Sequence, residues 1–144
     1  MKRDEREYFR STLDPRHPIV MAAPTVFLVD DDASVRKALG RLIKSAGYQV
    51  QTFGSAREFL DSGWRTQGPA CLVLDVRMPG LSGIDLQREI QATNPILPII
   101  FVTGHGDIPM SVNAIKAGAA DFLPKPVKDA DLLRAIKQAL ARGA

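Results

Sequence analysis

The fold is decided by the stretch VFLVDDD at residues 26–32, where four apolar residues run into three aspartates. The arrangement recurs in CLVLD at residues 71–75 and in IIFVT at residues 99–103, and FLPK at residues 122–125 ends on a lysine. Short β-branched and apolar runs are typical of buried parallel strands. Ligands of open α/β sheets bind beyond the carboxyl ends of the strands. The sequence therefore predicts a sheet edge that gathers carboxylates, a hydroxyl and an ammonium group.

The rest of the chain alternates strand and helix patterns. Five strand–helix units of roughly 20–30 residues each predict a parallel sheet with right-handed crossovers and helices on both faces. The first segment differs, because residues 1–23 combine a mixed-charge run with several prolines. We therefore predict a flexible extension over residues 1–23 and one folded domain over residues 24–144.

Composition narrows the class of protein. The chain has 144 residues, 45% of them hydrophobic, and no apolar run approaches the roughly 18 residues of a membrane span. Its first residues are charged, unlike a signal peptide. Cys71 is the single cysteine, which excludes a disulfide or a thiolate-rich metal site and favours an inert buried thiol. We expect a cytoplasmic protein that makes no contact with a membrane.

The net charge of +3 is mild, but four cations share the polar face of the first predicted helix: Arg36, Lys37, Arg41 and Lys44. A solvated helix face is the simpler interpretation, and contact with nucleic acid is the alternative. Aromatic residues do not interleave with these charges, as they do on a nucleic-acid platform.

The predicted sheet edge carries the parts of a phosphoryl-acceptor site. Asp30, Asp31 and Asp75 repel one another unless a cation intervenes, and hard oxygen ligands suit Mg²⁺. One aspartate of such a cluster can attack phosphorus to give an aspartyl phosphate. Mg²⁺, the Lys125 ammonium and the Thr103 hydroxyl can then stabilise the phosphoryl oxygens. Asp32 is better explained as a helix N-cap than as a metal ligand.

Four motifs in this order resemble the response-regulator receiver domain of two-component signalling. They are VDDD at residues 29–32, LDVRMPG at 74–80, VTGHGD at 102–107 and KP at 125–126. The resemblance covers about residues 25–142. Residues 104–109, GHGDIP, with residues 117–122, AGAADF, resemble the FixJ type of transcriptional regulator in particular.

The resemblance implies a flavodoxin-like (CheY-like) doubly wound (βα)₅ sheet with strand order 2-1-3-4-5. It implies that a sensor histidine kinase phosphorylates Asp75 in the presence of Mg²⁺, and that the chain is a switch rather than a turnover enzyme. The resemblance implies that Asp31 and Asp75 bind Mg²⁺ directly, that Asp30 does so mainly through water, and that the backbone carbonyl of Arg77 is a further ligand. It also implies that Thr103 and Lys125 hold the phosphoryl group. Phe122 matches the aromatic switch position of the family. Pro126 permits the cis Lys-Pro bond often found in the family.

The resemblance also implies partners. FixJ-type receivers dimerise when phosphorylated, so we expect a homodimer through the predicted fourth helix and fifth strand, about residues 110–123. Phe122 would swing inward as Thr103 turns toward the phosphoryl group, or else be a static surface aromatic. The output implied is control of transcription, with DNA bound only through an output domain absent from this chain.

Two other classes of protein remain open. An aspartyl-phosphate phosphatase also uses a strand-end aspartate, a threonine and a lysine, but it needs an acidic residue two positions after the nucleophile, where this chain has Arg77. A pseudo-receiver is an interaction module that works without phosphorylation, and such proteins usually lack one of the site residues.

Overall fold

The sheet has five parallel strands in the order β2-β1-β3-β4-β5. The computed structural model describes residues 23–64, 68–76, 83–93, 97–104, 115–116 and 118–143. The strands are β1 Thr25–Val29, β2 Gln49–Phe53, β3 Ala70–Asp75, β4 Ile99–Thr103 and β5 Asp121–Pro124. The predicted strand order is confirmed, and it places β1 and β3 side by side with β2 at one edge.

Helices cover both faces of the sheet. They are α1 Ala33–Ser45, α2 Ala56–Asp61, α3 Gly83–Thr93 and α4 Asp129–Gly143. The helix predicted between β4 and β5 lies mostly outside the described residues, as does most of the extension predicted over residues 1–23. None of the helices described is long and apolar enough to cross a bilayer.

Two hydrophobic cores lie on opposite faces of the sheet, because successive strand residues point to opposite sides. The core under α2 and α3 contains Phe27, Leu72, Leu74, Phe101, Phe59, Leu86 and Ile90. The core under α1 and α4 contains Val26, Leu28, Val73, Val102, Ile43, Leu132 and Ile136. β1, β3 and β4 are buried along their whole lengths, whereas β2 is largely exposed. The doubly wound arrangement that the strand–helix alternation predicts is thus present.

Two local features also follow the chemistry of the sequence. Gly118, just before β5, has φ +103°, and a Cβ there would lie 2.9 Å from the Gln91 side-chain nitrogen, so the turn needs a glycine.

Cys71 lies inside β3, where burial raises the pKa of its thiol to about 12. The thiol is therefore protonated at neutral pH, as predicted for an inert core cysteine.

Candidate functional site

Three carboxylates meet at the carboxyl end of the two central strands. Asp30 and Asp31 follow β1 directly, and Asp75 is the last residue of β3. One oxygen from each lies within 4.8 Å of the others, with Asp30 and Asp75 buried and Asp31 exposed. Since β1 and β3 are hydrogen-bonded neighbours in register, strand pairing brings Asp30 next to Asp75, and Asp31 follows in the loop. The predicted acidic cluster is therefore present.

Lys125 joins the cluster from the loop that follows β5. Its Nζ donates to Asp30 Oδ2 at 2.7 Å and to Asp75 Oδ2 at 3.3 Å. The ammonium thus bridges the two buried carboxylates, and it lies nearer to Asp30 than to Asp75, the predicted phosphoacceptor. Burial alone would lower the pKa of Lys125, but hydrogen bonds and charge attraction from Asp30 and Asp75 outweigh burial and raise the pKa above its ordinary value.

The raised pKa of Lys125 predicts a loss of stability at alkaline pH. The contribution of the ammonium to the free energy of unfolding is full below pH 10.5, the ordinary lysine pKa, and disappears as the pH rises through the higher pKa of the folded state. We expect the stability difference between the protein and Lys125→Met to be constant from neutral pH up to pH 10.5 and to shrink above that point. Urea denaturation followed by Trp64 fluorescence measures it.

Lys128→Met is the matched control, because Lys128 is exposed and lies three residues further along the same segment. This control should differ little from the unsubstituted protein across the same pH range. A stability difference for Lys125→Met that stayed unchanged in alkali would contradict the coupling between Lys125 and the two carboxylates.

Asp32 turns away from the cluster, as predicted. Its side chain accepts from the backbone N–H of Ser34 at 2.9 Å and of Val35 at 3.2 Å, which caps the N-terminus of α1. Its own N–H donates to Asp30 Oδ1 at 2.9 Å. Both oxygens of Asp30 therefore accept hydrogen bonds, one from Asp32 and one from Lys125, whereas no hydrogen bond to the Asp31 carboxylate is found among the described residues.

Thr103 and Lys125 are held together through the backbone. Thr103 is the last residue of β4, is buried, and pairs with Pro124 in β5. Its carbonyl accepts from the Lys125 N–H at 2.7 Å. The Lys125–Pro126 peptide bond is cis, as expected. Strand pairing at this edge thus fixes the threonine and the lysine on one side of the aspartates.

Phe122 lies in β5, half-buried, with its ring 6.0 Å from that of Phe101. The ring packs against the edge of the core under α2 and α3. Of the other predicted site residues, Arg77 lies outside the described residues, as does the predicted fourth helix apart from positions 115 and 116.

The sequence analysis missed one contact of the site. Arg36 Nη1 donates to the main-chain carbonyl of Asp30 at 2.6 Å and so anchors the residue that starts the acidic loop. Arg36 lies one turn inside α1, on the helix face that the sequence pattern predicts to be solvated and basic. No sequence signal marks such a bond, because its acceptor is a backbone atom.

The donor set fits a hard divalent cation. Three carboxylates and one ammonium leave a formal charge of −2 in a partly buried site, equal and opposite to that of Mg²⁺. Mg²⁺ is bound by one or two carboxylates together with water and phosphate oxygens. Asp31 is the exposed member of the cluster and lies next to the two buried carboxylates.

Comparison with known proteins gives consistent results. The family model described as response regulator receiver domain matches residues 26–137. Nodulation protein W of Bradyrhizobium diazoefficiens is 55% identical over 117 residues, which are 81% of this chain and 51% of that protein. Transcriptional regulatory protein FixJ of Azorhizobium caulinodans is 45% identical over 119 residues, 83% of this chain and 56% of that protein.

Among solved structures, response regulator StyR superposes with a TM-score of 0.76 at 55% identity, over 83% of this chain and 60% of that chain. The chain thus spans about half the length of the curated relatives it matches. The matched region includes the acidic cluster, Thr103, Phe122 and Lys125.

Proposed function

Because the chain belongs to the family of response regulator receiver domains, we propose that it is a phosphoryl-accepting switch in which a sensor histidine kinase phosphorylates Asp75. The observation that carries the proposal is the geometry of Lys125, which contacts Asp75 and Asp30 at the carboxyl edge of the sheet. A buried carboxylate, an ammonium group and a neighbouring hydroxyl at Thr103 are the groups that phosphoryl transfer to an aspartate requires.

The transfer is a displacement at phosphorus. A carboxylate oxygen of Asp75 forms a bond to the phosphorus of a phosphohistidine, the P–N bond breaks, and the imidazole nitrogen keeps the electron pair and takes up a proton. Lys125 stays within reach of the new phosphoryl oxygens because Asp30 holds its ammonium in place. Thr103, fixed at the end of β4, supplies a hydroxyl donor on the same side.

A magnesium ion supplies charge neutralisation for the phosphoryl oxygens when bound. The residues we assign to it are Asp31 and Asp75 directly and Asp30 mainly through water, with the backbone carbonyl of Arg77 as a further ligand. The support for this assignment is the charge of the cluster and the hydrogen bonds that already occupy both oxygens of Asp30.

The surface beside Lys125 suits a docking protein. An open cleft of about 400 Å³ lies next to this lysine and is lined mostly by apolar groups, among them Val35, Leu39, Pro126 and Val127. A kinase that transfers a phosphoryl group to Asp75 must contact the protein surface around this site. The cleft supports our assignment of a sensor histidine kinase as the partner.

A single incubation separates this function from its alternatives. With acetyl phosphate and Mg²⁺, a phosphoacceptor switch gains the mass of one phosphoryl group and loses it slowly. An aspartyl-phosphate phosphatase instead releases phosphate continuously, and a pseudo-receiver shows neither change. Phosphate release without an accumulated phosphoprotein, or an unchanged mass with no phosphate release, would contradict the proposal.

We further propose that phosphorylation promotes a homodimer through β5 and the predicted helix before it, with control of transcription as the output. A phosphoryl group adds about −1.5 to −2 charge units and three acceptor oxygens beside Thr103. Since Phe122 is already half-buried, an inward movement would gain less than the roughly 1.5–3 kcal/mol of burying a whole apolar side chain. That gain still suffices to bias a two-state element.

We expect Phe122→Ala to weaken this dimer. Without the ring, the movement of Thr103 toward the phosphoryl group could no longer change the surface formed by β5 and the predicted helix before it. Sedimentation with and without beryllofluoride measures the association, and Arg57→Ala, an exposed position on α2, is the control. A dimer that formed equally well in Phe122→Ala would exclude the ring from the mechanism. An unchanged sedimentation coefficient in the unsubstituted protein would exclude the dimer.

A further inference from the structure

A basic cleft lies on the far side of α1 from the apolar one. It is open, has a volume of about 450 Å³, and runs between α1 and the edge strand β2. Its basic residues are Arg36, Lys37, Arg41 and Lys44. Arg36 is fixed by its bond to the Asp30 carbonyl, whereas the other three form no ion pair within the described residues, and no carboxylate described lines the cleft. The cleft therefore carries a concentrated positive charge that its own walls do not neutralise.

The other wall of the cleft offers backbone hydrogen-bonding groups. The Gln49 N–H donates to Pro24, and the Phe53 carbonyl accepts from Asp30, so these two strand residues direct their backbone groups at β1. In a parallel strand the intervening residues direct theirs the opposite way. Val50 and Thr52 consequently present N–H and C=O groups outward from the sheet edge, and both residues line the basic cleft.

Gly40 keeps the floor of the cleft open. It lies inside α1, where a glycine weakens a helix relative to alanine. A Cβ at this position would lie 3.6 Å from Thr52 Cγ2, which is an ordinary contact, so a larger residue would not clash there. A side chain at position 40 would nevertheless occupy part of the cleft between the helix and the edge strand.

We propose that this cleft binds an extended acidic segment of a partner protein, which adds as a strand to the outer edge of β2 and directs its carboxylates at the basic side chains of α1. In an added strand, alternate side chains lie about 6.6 Å apart and point to the same face. Lys37 and Arg41 are offset by about 6 Å along the helix, and Arg41 and Lys44 by about 4.5 Å. The repeat of alternating acidic residues is close to the offset of Lys37 and Arg41, and the long side chain of Lys44 can adjust to the shorter one, while the backbone of the segment pairs with Val50 and Thr52.

Nucleic acid fits the same cleft less well. The described lining contains no aromatic side chain on which a base could stack, and phosphate recognition would leave the outward backbone groups of β2 without a role. The proposed segment uses both walls of the cleft. It is also independent of Asp75 chemistry, since none of the three unpaired cations contacts the acidic cluster.

Fluorescence anisotropy of a labelled peptide of alternating glutamate and valine tests the charge part of the proposal. We expect salt-sensitive binding that weakens at least tenfold in the double variant Arg41→Glu/Lys44→Glu. Lys137→Glu is the control, because it makes the same lysine-to-glutamate change at an exposed position on α4. This variant should bind the peptide as tightly as the unsubstituted protein does. Acetyl phosphate labelling should be the same in all these variants. No binding by the unsubstituted protein, or equal binding by the double variant, would overturn the proposal.

Thr52→Pro tests the strand addition separately. It removes an outward N–H while leaving the bonds to β1, and proline is tolerated at such edge positions. Thr52→Val is the matched control, because it changes the side chain and keeps the N–H. We expect the peptide to lose affinity in Thr52→Pro only; equal affinity in both would overturn strand pairing. Tighter binding of a duplex DNA probe, unaffected by Thr52→Pro, would identify the cleft as a nucleic-acid site instead.

Discussion

Replacement of Asp75 by asparagine is expected to abolish phosphoryl incorporation from a small phosphodonor in the presence of Mg²⁺. The carboxamide has nearly the shape of the carboxylate but is not nucleophilic enough to attack phosphorus. Loss of a covalent nucleophile lowers rates by factors on the order of 10⁴ or more, so the labelled species should disappear from an intact-mass spectrum.

The control for this experiment is Asp61→Asn. Asp61 is exposed at the end of α2, where its Oδ1 lies 4.0 Å from Arg57 Nη1, and it is not part of the acidic cluster. This variant should be labelled like the unsubstituted protein. Equal labelling of Asp75→Asn would mean that another carboxylate accepts the phosphoryl group and that the assignment of Asp75 is wrong.

Removal of the Asp31 carboxylate is expected to have the second-largest effect, on the binding of Mg²⁺. Loss of a residue that only supports a metal ligand already costs roughly 10–100-fold in affinity, and a direct ligand should cost at least as much. We assign this role to Asp31 because both oxygens of Asp30 already accept hydrogen bonds. Isothermal titration calorimetry of Asp31→Ala measures the loss.

Asp32→Ala is the matched control, since it removes the neighbouring carboxylate. Because Asp32 caps α1, this variant should lose about 1 kcal/mol of stability and keep its affinity for Mg²⁺. Calorimetry is preferable to fluorescence, because Trp64, the single tryptophan, packs on Phe59 in the core under α2 and α3. Similar losses of affinity in Asp31→Ala and Asp32→Ala would contradict the assignment of Asp31 to the metal and of Asp32 to the helix cap alone.

The elements that the sequence predicted well are those decided by local pattern. The run at residues 26–32 forms β1 and the start of the acidic loop, and Asp32 caps α1, because an apolar strand followed by polar capping residues has few other ways to fold. Asp75 and Thr103 end β3 and β4 as expected. Strand order came from the resemblance to a known family, since no pattern within one strand specifies its neighbour.

Other features depend on distances between segments far apart in the chain. Lys125 lies closer to Asp30 than to Asp75, and Phe122 is half-buried against Phe101. Arg36 is a shorter-range case, since it bonds to the Asp30 carbonyl just before its own helix. Each of these depends on the exact placement of a side chain, and a sequence motif records only which side chain is available.

The sequence by itself determined which chemical groups stand at the carboxyl ends of the strands, because strand-end positions follow from short apolar runs and the direction of parallel strands is shared. Only the tertiary structure decided that the Lys125 ammonium donates to both Asp30 and Asp75. It alone also decided that the basic face of α1 lies beside the edge strand β2. The reason is that such arrangements bring together residues such as Gly40 and Thr52, or Asp30 and Lys125, whose proximity is set by strand register and helix packing rather than by local spacing.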